Sequence, residues 1–474
     1  MKGGESYRDV FAIGSAHARL ILYDLSMNHP EFAPEGLAEH LLAAARRAGA
    51  DAADVILVHG ISHDLSVRLG QPETVERAEG RDLGLRVFIG KRQAIVSSTD
   101  FSRATLDGLA QRAVAMARAV PEDPFCGLAD ARLHARSLPE LDLTDEGEPS
   151  GEALVALATE AEDVARAVPG VTNSEGADAG FRRAEIALAT SDGFFGRYGS
   201  TRYSLSVSVL AGGGLDMQRD YDYSSVTHRA DLKSPASLGQ TAGERAVKRL
   251  KPRKAPSGRM PVVYENRLAG GLLGHFSGAI SGAAIARGTS FLKDRLGEPV
   301  FGERITVIDD PHRKRGLRSR PFDGEGVATS RRALIERGRL TTWLLDSRSA
   351  RQLGLATTGH ASRGTSGPPS PSPANLYLEP GSVSPEALIK EIDSGLYLTE
   401  LIGMGVNGVT GDYSRGAAGF WIEHGVLSYP VSEVTVAGNL KDMFRALTPA
   451  SDLEFRSGVD APSVRIDGMT VAGR

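Results

Sequence analysis

One cysteine in 474 residues, Cys126, excludes an intramolecular disulfide and any cysteine-rich metal site. Net charge is nearly absent too: 55 basic against 59 acidic residues leave −4, giving no whole-chain reason to expect nucleic acid or an anionic membrane. Long apolar runs are missing. The one uncharged stretch of membrane-span length, Leu268 to Ala286, is interrupted by Gly270, Gly271, Gly274, Gly278 and Gly282 and has no flanking aromatic belt. It reads as a buried soluble helix whose glycines at 270, 274, 278 and 282 form a bare stripe for close backbone approach. No signal-peptide pattern opens the chain; residues 1–33 read as an extension, with Met27 offered as the true start.

Glycine is in excess, at 55 residues, without the Gly-X-Y period of collagen. The other proportions, 41% hydrophobic and 24% charged, are those of a globular chain of two or three domains. Pro34 opens a helix through Leu37, Leu41, Leu42 and Ala45, and Gly49 stops it. Asp54 to His59 and Leu65 to Leu69 read as two short strands. Leu83 to Ile89 and Ala94 to Val96 form a hairpin about Gly90-Lys91, and Ser102 caps a helix carrying Leu106, Leu109, Ala113 and Ala117. Val120 to Gly151 is a proline- and acid-rich linker. A helix from Glu152 to Val168, strands about Glu185 to Ala189 and Tyr203 to Leu210, and a helix from Gly239 to Leu250 follow. The spacing predicts an α+β fold: a helix-covered sheet region at 34–120, a middle region at 121–255, and a glycine-rich, β-dominated domain at 256–474. Arg363 to Pro373, with four prolines among serines and glycines, reads as a mobile loop.

Several motifs invite chemistry. Gly403 to Gly408 fits G-x-G-x-x-G, but the glycine-rich segment after it is no helix, so the pyrophosphate-binding context is missing. His59 and His63 have the spacing of a helical zinc pair, yet they fall on strands, where residues four apart are separated by roughly 13 Å. The basic runs Lys248 to Lys254 and His312 to Arg320 lack interleaved aromatics and read as solvated loops. Asp309, Asp310, His312, Asp323 and Glu325 carry hard-metal donors, but Asp-Asp-Pro and Asp-Gly are also turn chemistry, the preferred reading. No G-x-S-x-G elbow is present, and Cys126 has no evident histidine partner.

Ordered motifs in the second half carry a resemblance. Arg287-Gly288-Thr289-Ser290-Phe291-Leu292, Asp309-Asp310-Pro311, Pro321 to Val327, Thr358-Gly359-His360, Gly405-Val406-Asn407, Thr410 to Ser414, Gly419 to Glu423, Ala437 to Leu440 and Ala461 to Ile466 resemble the TldD/PmbA family, also called modulators of DNA gyrase. Gly84 to Val87 and Ser191 to Phe194 extend the match into the first half. The resemblance implies a cytosolic heterodimeric zinc metallopeptidase that acts on unfolded polypeptides and modified-peptide precursors. Its TldD-like subunit holds zinc through H-E-x-x-x-H and a cysteine near the C-terminus. Here those helix positions fall on Gly270, Gly271 and His275, and Asp452 to Asp460 contains no cysteine. Zinc hydrolysis needs about three protein ligands and a base, so the resemblance is to the PmbA/TldE-like, non-zinc subunit.

The expectation is therefore a chain with no catalytic or metal residues of its own, His275 being a degenerate position, and with zinc in a TldD-like partner. Gly270, Gly274, Gly278, Gly282, Asp323, Glu325, Asn407 and Asp412 are the candidate contacts to peptide or partner. An exposed sheet edge is expected to bind extended peptide through main-chain hydrogen bonds. The alternatives are a homodimeric peptidase with an unusual metal site at His275, and a non-enzymatic modulator of gyrase or of a toxin–antitoxin partner.

Overall fold

Leu37, Ala38, Leu41, Ala44 and Ala45 recur at helical spacing, and this apolar stripe buries the first helix, α1 (Pro34–Ala48), against a long sheet. A computed structural model describes residues 34–473, so the expectation for Met27 lies outside the described residues. The sheet is built from β1 (Ala52–Arg68), β2 (Gln71–Ile89), β3 (Arg92–Ser98), β4 (Val171–Thr190), β5 (Phe195–Ala211) and β6 (Gln218–Val226) in the order β3-β2-β1-β4-β5-β6. The 17 residues of β1 span roughly 55 Å at about 3.3 Å per residue. A 17-residue helix spans only about 25 Å. One helix pair therefore cannot cover the sheet. α1 and α2 (Arg103–Ala119) cover one end, packing on Val55, Leu57, Leu83 and Leu85. α3 (Gly151–Ala167) and α4 (Pro235–Lys248) cover the other, on Leu65, Val67, Phe181 and Leu205.

Between the helix pairs β1 runs on without a break, so the two short strands expected from the sequence are one. Both its edges are paired through Gly60, to β2 and to β4. The linker crosses this gap: Asp145 N–H donates to Thr201 Oγ1 at 2.8 Å, and Arg183 Nη2 donates to the Gly147 carbonyl at 2.6 Å.

The second half comprises β7 (Gly258–Tyr264), α5 (Asn266–Ala279), α6 (Gly282–Ala286), β8 (Val307–Asp309), β9 (Arg332–Glu336), β10 (Arg339–Leu340), α7 (Ser347–Leu353), β11 (Ala361–Ser362), β12 (Ser370–Pro371), β13 (Leu376–Leu378), α8 (Pro385–Lys390), β14 (Ser394–Ile402), β15 (Asp412–Glu423), β16 (Val426–Asn439), α9 (Leu440–Ala446), β17 (Leu447–Pro449), β18 (Val459–Asp460) and β19 (Val464–Ala472). β16, β15, β14, β7 and β19 are neighbours in that order, and β16 also pairs with β19 through Val436 and Val471. The ring closes into a five-stranded barrel, which leaves its members no free edge. α5 packs into the barrel core through Leu272, Leu273 and Phe276, beside Tyr264, Tyr413 and Phe444. Phe322 joins the two halves, standing edge-on to Phe194 at 5.2 Å and to Tyr198 at 5.4 Å.

Three expectations need correction. The uncharged glycine-rich run is two helices, α5 and α6, broken at Ile280-Ser281, so the four-glycine stripe is not continuous. Gly270 and Gly282 are closely packed, but Gly274 and Gly278 face open space. Arg363 to Pro373 is tied down at both ends: β11 pairs with β12, and the Arg363 side chain is fully buried, its Nη1 2.5 Å from Asp54 Oδ1. The basic runs are not merely solvated, because Arg249 pairs with Asp220 at 3.4 Å and Arg315 with Asp142 at 2.6 Å.

Candidate functional site

α5 is positioned at its first turn. Arg267, with a fully buried side chain, reaches Asp220 of β6 at 3.1 Å and Glu265 at 2.9 Å, joining the helix to the long sheet. Ala269, Leu272, Leu273, Phe276 and Ala279 bury one face, leaving Gly271, Gly274 and Gly278 exposed on the other. His275 sits between these faces, half-buried, its ring edge-on to Tyr413 at 6.0 Å. Burial, then the Arg415 guanidinium, pushes the imidazole pKa down, which favours the neutral ring.

A zinc site does not fit here. A Cβ at Gly270 would collide with the main-chain carbonyl of Val459, so the first ligand position is closed by backbone. Gly271 has room but no side chain. The acids of the segment 452–460, where the resemblance leads one to expect a cysteine ligand in a zinc-holding subunit, are engaged elsewhere. Asp452 accepts from Ser463 N–H at 2.8 Å and Ser463 Oγ at 2.7 Å; Asp460 accepts from the backbone N–H groups of Arg456, Ser457 and Gly458. Among the described residues no three His, Cys, Asp or Glu side chains converge as a metal site.

The other candidate residues do not share one surface. Asp323 and Glu325 are buried where the two halves meet. Asp323 accepts from the N–H groups of Glu325 and Val327, each at 2.9 Å, and of Ala361 at 3.1 Å. Glu325 accepts from Ser347 N–H at 2.8 Å and lies 3.9 Å from Arg86. Burial, then the neighbouring Glu325, pushes the Asp323 pKa up to about 7. Asn407 lies in the exposed loop between β14 and β15, and Asp412 is the first residue of β15. Asn407 accepts from Val409 N–H at 2.9 Å, while Asp412 accepts from Thr410 Oγ1 at 2.6 Å and Asn439 Nδ2 at 3.0 Å. Both shape their own loop. Asp309 faces His360 at 3.3 Å, and His312 meets Thr329 Oγ1 at 2.9 Å, so they belong to separate pairs. His59 pairs with Glu79 at 3.0 Å, and His63 with Glu148 at 2.6 Å.

Sequence reasoning missed the ionic junction of the halves, in which Asp54 is held between Arg86 and Arg363, each at 2.5 Å. No local pattern marks it, because Arg86 falls at a polar position of the alternation Leu83, Leu85, Val87, the face a strand ordinarily turns to solvent.

Three family models cover most of the chain: PmbA/TldA metallopeptidase domain 1 at residues 53–117, the central domain at 144–250 and the C-terminal domain at 257–473. Metalloprotease PmbA of Escherichia coli O157:H7 is 41% identical over 91% of this chain and 94% of its own. The PmbA homolog of Haemophilus influenzae is 37% identical over 90% and 94%. A protein of Bacteroides thetaiotaomicron, described as a candidate modulator of DNA gyrase, is similar in structure, with TM-score 0.86, 28% identity, and 93% and 99% of the two chains covered. TldE of Thermococcus kodakarensis shares the fold, with TM-score 0.81 at 21% identity over 92% and 100%. No helix among the described residues is long and apolar enough to cross a membrane. By sequence along nearly its whole length, this chain belongs to the PmbA/TldD metallopeptidase family, in its PmbA branch.

Proposed function

We propose that this chain is the subunit of a cytoplasmic two-chain metallopeptidase that does not hold the zinc, and that it lines part of the chamber in which a TldD-like partner cleaves extended polypeptides. The observation carrying this reading is the contact between Gly270 and Val459: the first ligand position is filled by main chain, which a side-chain substitution cannot displace cheaply. The lone His275 then supplies neither a ligand set nor a base. An edge for main-chain recognition lies in β2. Residues 71–82 pair with β1 on one side, while β3 reaches only residues 83–89 on the other. Pro72 and the charges of Glu73, Glu76, Arg77 and Arg81 protect that edge from self-association.

The test is co-expression with a partner carrying an intact H-E-x-x-x-H, followed by peptide cleavage with each subunit omitted and zinc measured per chain. Cleavage should need both chains, with zinc in the partner alone. Stoichiometric zinc in this chain by itself, with hydrolysis abolished by His275→Ala, would overturn the reading in favour of a homodimeric peptidase.

A further inference from the structure

On the sheet face opposite the helices, Arg182 of β4 and Arg202 of β5 are direct cross-strand partners. Like charges so placed repel. Arg202 Nη2 donates to the Leu317 carbonyl at 3.0 Å, which brings the loop carrying Arg318 and Arg320 over the same spot. Arg182 has one acid, Asp64, at 3.5 Å and exposed to solvent. Among the described residues neither the half-buried Arg202 nor the exposed Arg318 has a carboxylate within ion-pair distance. The crowding has an electrostatic signature. Desolvation, then Arg182 and Arg318, pushes the Arg202 pKa down; desolvation, then Arg320, does the same to Arg318, against a partial opposing pull from Asp309 and Asp460. Arg320 Nε is buried without a hydrogen-bond partner. Beside these heads the sheet carries small side chains at the registered positions, Ser62, Gly180, Ala184, Ser200 and Ser204, with Asp64 on the same face.

We propose that Arg182, Arg202, Arg318 and Arg320 form an anion-binding site that takes the carboxylates of an acidic stretch in the polypeptide substrate. A carboxylate placed among these guanidiniums relieves their mutual repulsion and gains charge-assisted hydrogen bonds, and planar guanidinium pairs well with carboxylate. A peptide suits the site better than a nucleic acid: the chain is net acidic, and the adjacent sheet carries serine, glycine and alanine along the registered positions, where an extended chain can lie. The inference rests on the peptide-binding role proposed above and adds a preference for acidic segments.

The experiment measures binding of labelled peptides to the intact single chain. One is an unstructured Gly-Ser peptide carrying three consecutive Glu residues; its twin carries Gln instead. The Glu peptide should bind at least tenfold more tightly at low salt, and the difference should collapse in 0.5 M NaCl. Arg318→Gln and Arg182→Gln should each remove most of it. Because each variant relieves repulsion in the unliganded chain, its Tm should stay level or rise; a merely structural arginine would lower it. Equal binding of the twins, no binding of either, or a variant that loses Tm without changing the Glu preference overturns the inference. A single-stranded RNA octamer that binds through the same arginines while the Glu peptide does not would also overturn it, in favour of nucleic acid. Zinc measured on the same preparation separates the two ideas: bound zinc defeats the subunit assignment, whereas equal binding of the twins defeats only this site.

Discussion

The main-chain carbonyl of Val459 occupies the space that a Cβ on Gly270 would need. Gly271, the next residue on α5, faces nothing within 4 Å. Alanine should therefore have opposite effects at two adjacent positions. Gly270→Ala forces the β18 backbone away and should cost about 1–3 kcal/mol. Gly271→Ala adds helix propensity without a clash and should stabilise by about 0.5–1 kcal/mol. Urea unfolding of the two variants checks the contrast; a Gly270→Ala chain as stable as the parent would remove the steric argument against a ligand there. By the same reasoning, Gly270→His with Gly271→Glu should not create a zinc site, as metal analysis of the purified variant would show.

The junction between the halves depends on Asp54. Burial alone would raise its carboxyl, but Arg363 and then Arg86 outweigh that and hold its pKa below the usual carboxylate range. Asp54→Ala leaves the buried Arg363 without its anion and Arg86 with only Glu325 at 3.9 Å, and should cost about 3–5 kcal/mol. The depressed pKa sets the sign of the pH dependence. Stability from this group is present above the unfolded-state pKa near 3.9 and is lost as pH falls through the lower folded value. Acid unfolding monitored below about pH 4 should show this component in the parent and not in the variant.

Much of the fold was legible because it is written in apolar spacing. α1, α2, α3 and the β2–β3 hairpin each bury a regular stripe. What was hidden is where burial and backbone pairing part company. β1 passes beneath two helix pairs, and at His59 to His63 it crosses the gap between them, so its apolar alternation lapses although its ladder continues. Residues 71–82 of β2 have no apolar face to betray them. Closure of the barrel depends on β16 meeting β19, a pairing distant in sequence that no local pattern reports. At the candidate site, the chemistry missing from Gly270 and Gly271 could be read directly, whereas the contact that makes Gly270 irreplaceable needed the position of Val459. The arginine cluster was half visible, as the basic run ending at Arg320; its other half comes from two strands.

The proline-rich loop gives another test. A Cβ at Gly84 would collide with the Thr365 carbonyl, so β2 and this loop are in backbone contact, next to the buried Arg363. Gly84→Ala should push the loop off the sheet while leaving β2 paired. Hydrogen exchange should rise at residues 363–371 and stay unchanged at Leu85 to Phe88. Exchange rising equally in both segments would mean that the substitution unfolds the sheet rather than releasing the loop.

Asp323 should tilt stability in the opposite direction to Asp54. Its folded pKa, pushed up to about 7 by burial and then by Glu325, lies above the unfolded value near 3.9, so the native state holds the extra proton across that interval. A group raised in this way contributes fully below the unfolded pKa, and its contribution is lost as pH rises through the folded one. As pH rises from about 4 towards neutrality the parent should lose stability through this carboxyl. Asp323→Asn cannot titrate and should flatten the slope. Its absolute stability should fall as well, because the side-chain NH2 cannot accept the N–H bonds that both carboxylate oxygens receive from Glu325, Val327 and Ala361. Glu325, also raised by burial and partly opposed by Arg86, leaves a residual slope in the variant. Urea midpoints at pH 4.5, 5.5 and 6.5 separate slope from offset. A parent curve that is flat over this range would show that the three backbone donors keep Asp323 ionised despite its burial.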